Sequence, residues 1–132
     1  MIKAFFNCSY ISEKNTGIGE TAFQLMKSIN CPEICFLSPL KVCEKNVIKI
    51  PENLSPNNSI FNHIRRLLWV QFKVPKLMHK YKVDTFISPL AEAPLFSGCD
   101  NIVFVHDLIP LRFPKISFLF FYHLFYVPLV LH

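Results

Sequence analysis

Apolar residues come along this chain in short runs, and the segments between them alternate between helical period and loop composition. The first run, Ile2–Asn7 (IKAFFN), reads as a buried strand. A loop, CSYISEKNTG, follows. From Ile18 the apolar positions are Ile18, Ala22, Leu25, Met26 and Ile29, the offsets of one helical face. That helix is expected to stop before Cys31-Pro32, because proline disfavours helix in the residue preceding it. Glu33–Leu37 is a second strand and Asn46–Ile50 a third, with Val47 on the side opposite Ile48 and Ile50. After the loop PENLSPNNS comes a long helical stretch to Tyr81, in which Ile60, Ile64, Leu67, Leu68 and Phe72 share a face. Pro75 should kink it or split it in two. Val83–Ser88 and Asn101–Val105 are the fourth and fifth strands, and an apolar helix closes the chain.

The order β-α-β-β-α-β-β-α predicts an α/β protein: a Rossmann-like, mostly parallel sheet flanked by helices. Ligands bind such sheets beyond the carboxyl ends of the strands. The loops after Asn7, Ser88 and Val105 are therefore the places to look for a site. The length of 132 residues fits one domain. No internal repeat or low-complexity tract interrupts it.

Composition narrows the function classes. A formal charge of +5 is modest, and Arg65-Arg66 is the only adjacent basic pair in the middle of the chain, so no nucleic-acid partner is expected. The five cysteines, Cys8, Cys31, Cys35, Cys43 and Cys99, form no C-x-x-C pair and no signal peptide opens the chain. They read as reduced thiols of a cytoplasmic protein. A zinc site on Cys31 and Cys35 lacks a second ligand pair, so no metal is expected. Ile116–Leu131 (ISFLFFYHLFYVPLVL) is apolar but shorter than the about 20 residues a span requires. A core helix is the expectation there, with a membrane span and a helix lying on a membrane surface as the alternatives.

Four stretches could carry chemistry. Gly17-Ile18-Gly19 followed by Ala22 matches G-x-G-x-x-A, in which glycines let the backbone approach a phosphate at a helix start. It lies about ten residues past the first strand, too far for a dinucleotide turn, and equally reads as an ordinary helix start. Trp69 and Gln71, in WVQFKVP, are by themselves a core or groove aromatic and a solvated amide. In ISPLAEAPLF, Glu92 is the only acid, and an isolated exposed carboxylate is its default reading. His106-Asp107 ends the fifth strand: the His could donate to a sugar hydroxyl or phosphate, or the pair could only cap the following turn.

Taken together and in this order, the four stretches resemble the amino-terminal domain of family-four glycosyltransferases, which are retaining enzymes of two Rossmann-like domains (the GT-B fold). The resemblance runs through Gly17-Ile18-Gly19, Trp69-Val70-Gln71 with Pro75, Ser88-Pro89 with Pro94, and His106-Asp107-Leu108-Ile109-Pro110 with Phe113-Pro114. Glu20 stands where the family commonly has Arg, and Val70 where it has Glu. The family's Glu-x7-Glu motif, which belongs to a second, donor-binding domain, is absent; the pair Glu44 and Glu52 has that spacing but lies in the wrong context. The resemblance thus implies an incomplete amino-terminal half, residues 1–132, inactive alone and needing a carboxyl-terminal half as partner.

The activity implied is hexosyl or mannosyl transfer from a nucleotide-sugar to a polysaccharide or lipid-linked acceptor, with no cofactor beyond the donor substrate. His106 and Asp107 would be catalytic, His106 bonding the donor sugar. Gly17, Gly19, Trp69, Gln71 and Ser88 would bind substrate. The long helix around Arg65, Arg66 and Lys73 could meet an anionic membrane, giving a cytoplasmic protein with peripheral contact at the inner face. The competing readings are a non-catalytic α/β module holding a phosphate-bearing ligand, and a small membrane-associated protein.

Overall fold

The computed structural model describes residues 1–15, 17–41, 45–54, 59–106, 108–113 and 116–132. Strands β1 (Ala4–Asn7), β2 (Ile34–Ser38), β3 (Val47–Lys49), β4 (Thr85–Ser88) and β5 (Asp100–Val103) form a five-stranded sheet in the order β3-β2-β1-β4-β5. Every neighbouring pair is parallel, in the registers Ala4 with Ile34, Phe36 with Val47, Ala4 with Thr85, and Thr85 with Asp100. Four of the strands are shorter than the runs expected from sequence, and β2 is the same length, shifted by one residue. The chain runs outward from β1 to β2 and β3, then returns to build β4 and β5 on the other side. This reversal opens a crevice at the carboxyl ends of β1 and β4.

Helices cover both faces. Alternation along the strands sends Phe5, Cys35, Leu37 and Phe86 to one face, where they pack with Val74 and Met78 of α2 (Ile60–Tyr81). Phe6 and Phe36 go to the other face, against Ala22 and Met26 of α1 (Ile18–Ser28). The connection from β4 to β5 contains no helix. It crosses as an extended loop, Pro89–Cys99, fastened to α2 by Gln71: Nε2 donates to Ala93 O at 2.7 Å and Oε1 accepts from Leu95 N at 3.0 Å. After β5 come a short helix α3 (Ile109–Arg112), then α4 (Phe118–Phe121), a π-helical turn (Tyr122–Tyr126) and α5 (Val127–Leu131). Tyr122 and Tyr126 hydroxyls donate to Ala91 O and Ala93 O, pinning this last segment onto the crossover loop. Among the described residues no helix is long and apolar enough to cross a membrane.

Helix α2 departs from expectation twice. It runs through Pro75 as one element. The turns on both sides are anchored, with Val70, Val74 and Met78 all buried, so the hydrogen bond lost at proline does not break it. The buried stripe is also not the apolar one. Arg66, Val70, Val74 and Met78 face the core, whereas Ile60, Ile64, Leu68 and Phe72 are exposed, Phe72 at 65%. Both stripes repeat every four residues. Counting apolar residues selects the wrong one because the true stripe begins with an arginine. Met78→Ala should therefore cost about 2–5 kcal/mol of stability, and Phe72→Ala no more than about 0.5 kcal/mol, in urea denaturation; equal costs would place α2 in the opposite rotation.

Candidate functional site

At the crevice, the strand ends are fixed by their own side chains. Asn7 Nδ2 donates to Ser88 Oγ at 3.3 Å, linking β1 to β4 across 81 residues of sequence. Asn7 Oδ1 accepts from Ser9 N and Ser88 Oγ from Leu90 N, so each side chain also turns the loop that follows its strand. Both residues are fully buried. The loop after β1 continues inward, burying Cys8, Ser9, Tyr10 and Ile11, before Ser12 N donates to Asn15 Oδ1 at 2.8 Å and the chain enters α1.

Helix α1 begins at Gly17, whose φ of 54° lies in the left-handed region that glycine adopts without strain. Its N-cap residue, being glycine, supplies no side-chain cap, and first-turn residues Ile18 and Gly19 line the crevice at the positive end of the helix dipole. At Gly19 a Cβ would meet Asn15 Oδ1 at 3.0 Å, so the missing side chain lets the preceding loop close onto the helix.

Two adjoining cavities open here. One, about 310 Å³, is lined by Tyr10, Ser12, Lys14, Asn15, Gly19 and others. The second, about 230 Å³, reaches His63, Glu92, His106, Tyr122 and His123. They share Ile18, Arg66 and Leu90 as a common wall.

That wall is held by a buried ion pair. Arg66 Nε donates to Glu92 Oε2 at 2.8 Å and Nη2 to Oε1 at 2.7 Å, with the two side chains 4% and 1% exposed. Glu92 is thus not the isolated exposed carboxylate its sequence context suggested, nor is Arg66 available to a membrane surface. Burial alone would lower the Arg66 pKa, but the charge and hydrogen bonds of Glu92 outweigh it and hold the guanidinium above its usual value. Nη2 also donates to His63 Nδ1 at 2.7 Å. Arginine can only donate, so Nδ1 is unprotonated and the neutral ring carries its hydrogen on Nε2. Burial lowers the His63 pKa, and the Arg66 charge adds to this against the pull of Glu92. The ring stands edge-on to Phe118 and Tyr122, with centroids 5.1 Å from each.

His106 lies at the mouth of the second cavity, with Nε2 2.6 Å from Pro89 O. A carbonyl only accepts, so Nε2 carries the hydrogen, and Nδ1 of the neutral ring is the atom able to accept from a hydroxyl. Asp107 lies outside the described residues. Gly19 and His106 therefore come to adjoining cavities, with Gly17 one residue before their shared wall. Ser88, Trp69 and Gln71 line neither cavity: Ser88 is buried between Asn7 and Leu90, Trp69 packs against the α2-side core, and Gln71 holds the crossover loop. Sequence reasoning passed over His63 and gave Arg66 and Glu92 other roles, a membrane-facing cation and an exposed carboxylate. Their only sequence signal was an acid in a proline-rich loop and a basic residue on an otherwise apolar stripe.

Among the described residues no group of His, Cys, Asp and Glu is arranged to hold a metal ion, and Cys8, Cys31, Cys35 and Cys99 are free thiols. Compared with known proteins, the chain matches no family model, no curated protein and no solved structure.

Two outcomes test this description of the wall. Arg66→Met alone should cost about 3–5 kcal/mol, because it strands a buried carboxylate, while Arg66→Met with Glu92→Leu should recover most of that loss; denaturation midpoints that do not differ between the two would remove the ion pair from its role. For His63, the lowered folded-state pKa means the unfolded chain binds the extra proton first. Its contribution to stability is complete above about pH 6.5, the unfolded value, and is lost as pH falls through the folded pKa. Urea titrations should show stability declining as pH drops below about 6.5, and a shallower decline in His63→Leu.

Proposed function

We propose that the chain is the acceptor-side, Rossmann-like domain of a nucleotide-sugar-dependent glycosyltransferase, acting on a glycan or lipid-linked hydroxyl. The observation that carries this reading is the meeting of the α1 start and His106 on adjoining cavities at the sheet's crevice. These are the two elements the family resemblance assigns to the donor. An all-parallel sheet with α1 on one face and α2 on the other also agrees with the amino-terminal half of the GT-B fold.

In this reading the helix start at Gly17 and Gly19 faces the donor's diphosphate with N–H groups and dipole. His106 is held by Pro89 O so that Nδ1 accepts from a sugar hydroxyl. These groups bind and orient the donor. Lys14, on the same cavity as Gly19, would add positive charge beside the departing diphosphate. The dinucleotide alternative is weakened by the ten-residue path from β1 to α1, where such a cofactor needs a tight turn.

The test is an NMR titration of the labelled protein with nucleoside-diphosphate hexoses and, separately, with NAD. A nucleotide-sugar should shift the Gly17 and Gly19 amides and the His106 ring together, and His106→Ala should weaken binding about three- to tenfold, the worth of one hydrogen bond. Shifts with NAD and with no nucleotide-sugar would overturn the reading.

A further inference from the structure

Arg66 has more donors than the described residues use. A guanidinium carries five N–H groups in a fixed fork. Nε and Nη2 are turned to Glu92 and His63, but Nη1 is buried and has no hydrogen-bond partner among the described residues. A buried donor left unmatched is costly, and native structures rarely keep one without a reason. Arg66 is also a wall of the cavity of about 310 Å³, so the unmatched nitrogen belongs to a side chain facing open volume.

The rest of that cavity is rich in donors. Lys14 contributes an ammonium and Ser12 a hydroxyl, and α1 starts there on a glycine that has no side chain to cap it. The acceptor nearest to hand, Asn15 Oδ1, is already used by Ser12 N. Among the described residues no carboxylate lines this cavity. Glu92 sits on the opposite edge of the guanidinium in a two-point bond. Glu20 Oε1 is engaged by Gln24 at 2.6 Å, and Glu13 lines a neighbouring cavity.

We infer that this cavity is an oxyanion site anchored by Arg66, taking a phosphate or carboxylate group whose oxygens accept from Nη1 and from the first N–H groups of α1. The pairing with Glu92 is what makes the anchor usable. It fixes the fork in one orientation, so that Nη1 is presented without the side-chain freedom an exposed arginine must give up on binding. The cavity of about 310 Å³ exceeds what a bare phosphate fills, so the anion arrives on a larger molecule, part of which extends past Leu90 toward His106. This rests on the sugar-transfer reading, which already sets a diphosphate at the α1 start, and deepens it by naming Arg66 as the anchor. Where both hold, the compound in the crevice is an acidic sugar derivative.

The experiment is a titration of the labelled protein with inorganic phosphate and with acetate, against chloride at matched ionic strength, followed at the Ile18 and Gly19 amides and at Arg66 Nε–H. Hexose 1-phosphate and the free hexose form a second pair. Phosphate or acetate should give saturable shifts where chloride gives none, and the hexose phosphate should bind while the free hexose does not. Lys14→Gln, on an exposed loop position, should weaken binding about tenfold, and Arg66→Met with Glu92→Leu should abolish it. Shifts no larger than those from chloride, or undiminished binding in Lys14→Gln, would overturn the inference. Nucleotide-sugar binding that persists undiminished in Arg66→Met with Glu92→Leu would overturn the Arg66 anchor alone, whereas no nucleotide-sugar shift at the His106 ring of the unaltered protein would overturn the sugar-transfer reading.

Discussion

Arg66 and Glu92 are both withdrawn from water, and neither can stay withdrawn without the other. One sits on α2 and the other on the loop that carries the chain from β4 to β5, so their two-point bond sets the distance between a helix and a helix-free crossover. Desolvating two charges offsets most of their attraction, and a buried pair of this kind adds less to stability than apolar side chains of similar volume would. What it supplies is orientation. Loop residues Leu90 and Ala91 form cavity wall because Glu92 is tied down beside them. His63 is confined to one tautomer because Arg66 donates to it.

The crossover needs such fastening because it must do without a helix. In a parallel sheet the segment joining neighbouring strands usually covers one face with helical side chains. Here it is an extended loop, and its main chain is satisfied by side chains instead. Gln71 bonds the loop as a neighbouring strand would, donating to one carbonyl and accepting from one amide, while Tyr122 and Tyr126 meet two carbonyls from the last helical segment. The opposite face of β5 has no comparable cover: Ile102 and Phe104 remain about half exposed.

The five strands, the two long helices and the location of the crevice were legible in the sequence, because short apolar runs and four-residue offsets are direct signatures of burial. The sheet order was not, since periodicity carries no information about which strands are neighbours. Helix α2 was placed correctly and rotated wrongly: its buried stripe opens with Arg66, and a charged residue in the core is invisible until its partner is known. Glu92 was misjudged for the same reason, its partner lying 26 positions away. Gly19 and His106 were found by pattern and do lie on adjoining cavities. Gln71 and Ser88 belong to the same pattern, but their bonds are to the protein's own main chain and side chains.

The all-parallel order also constrains how the chain can assemble. β1 is made first and ends in the middle of the sheet, flanked by partners that begin at Ile34 and Thr85. No strand pair is a hairpin, and the central ladder of β1 with β4 joins Ala4 to Thr85, so it closes a long loop before it gains its hydrogen bonds, a mark of slow-folding topologies. Helices α1 and α2 can form from local bonds alone. The buried charges cannot, because Glu92 reaches Arg66 only once the crossover from β4 is in place. Until then both groups stay hydrated at no cost, and an incorrectly ordered sheet would have to bury them apart. The ion pair thus acts on the folding route as a filter, penalising compact states in which β4 has found the wrong neighbour.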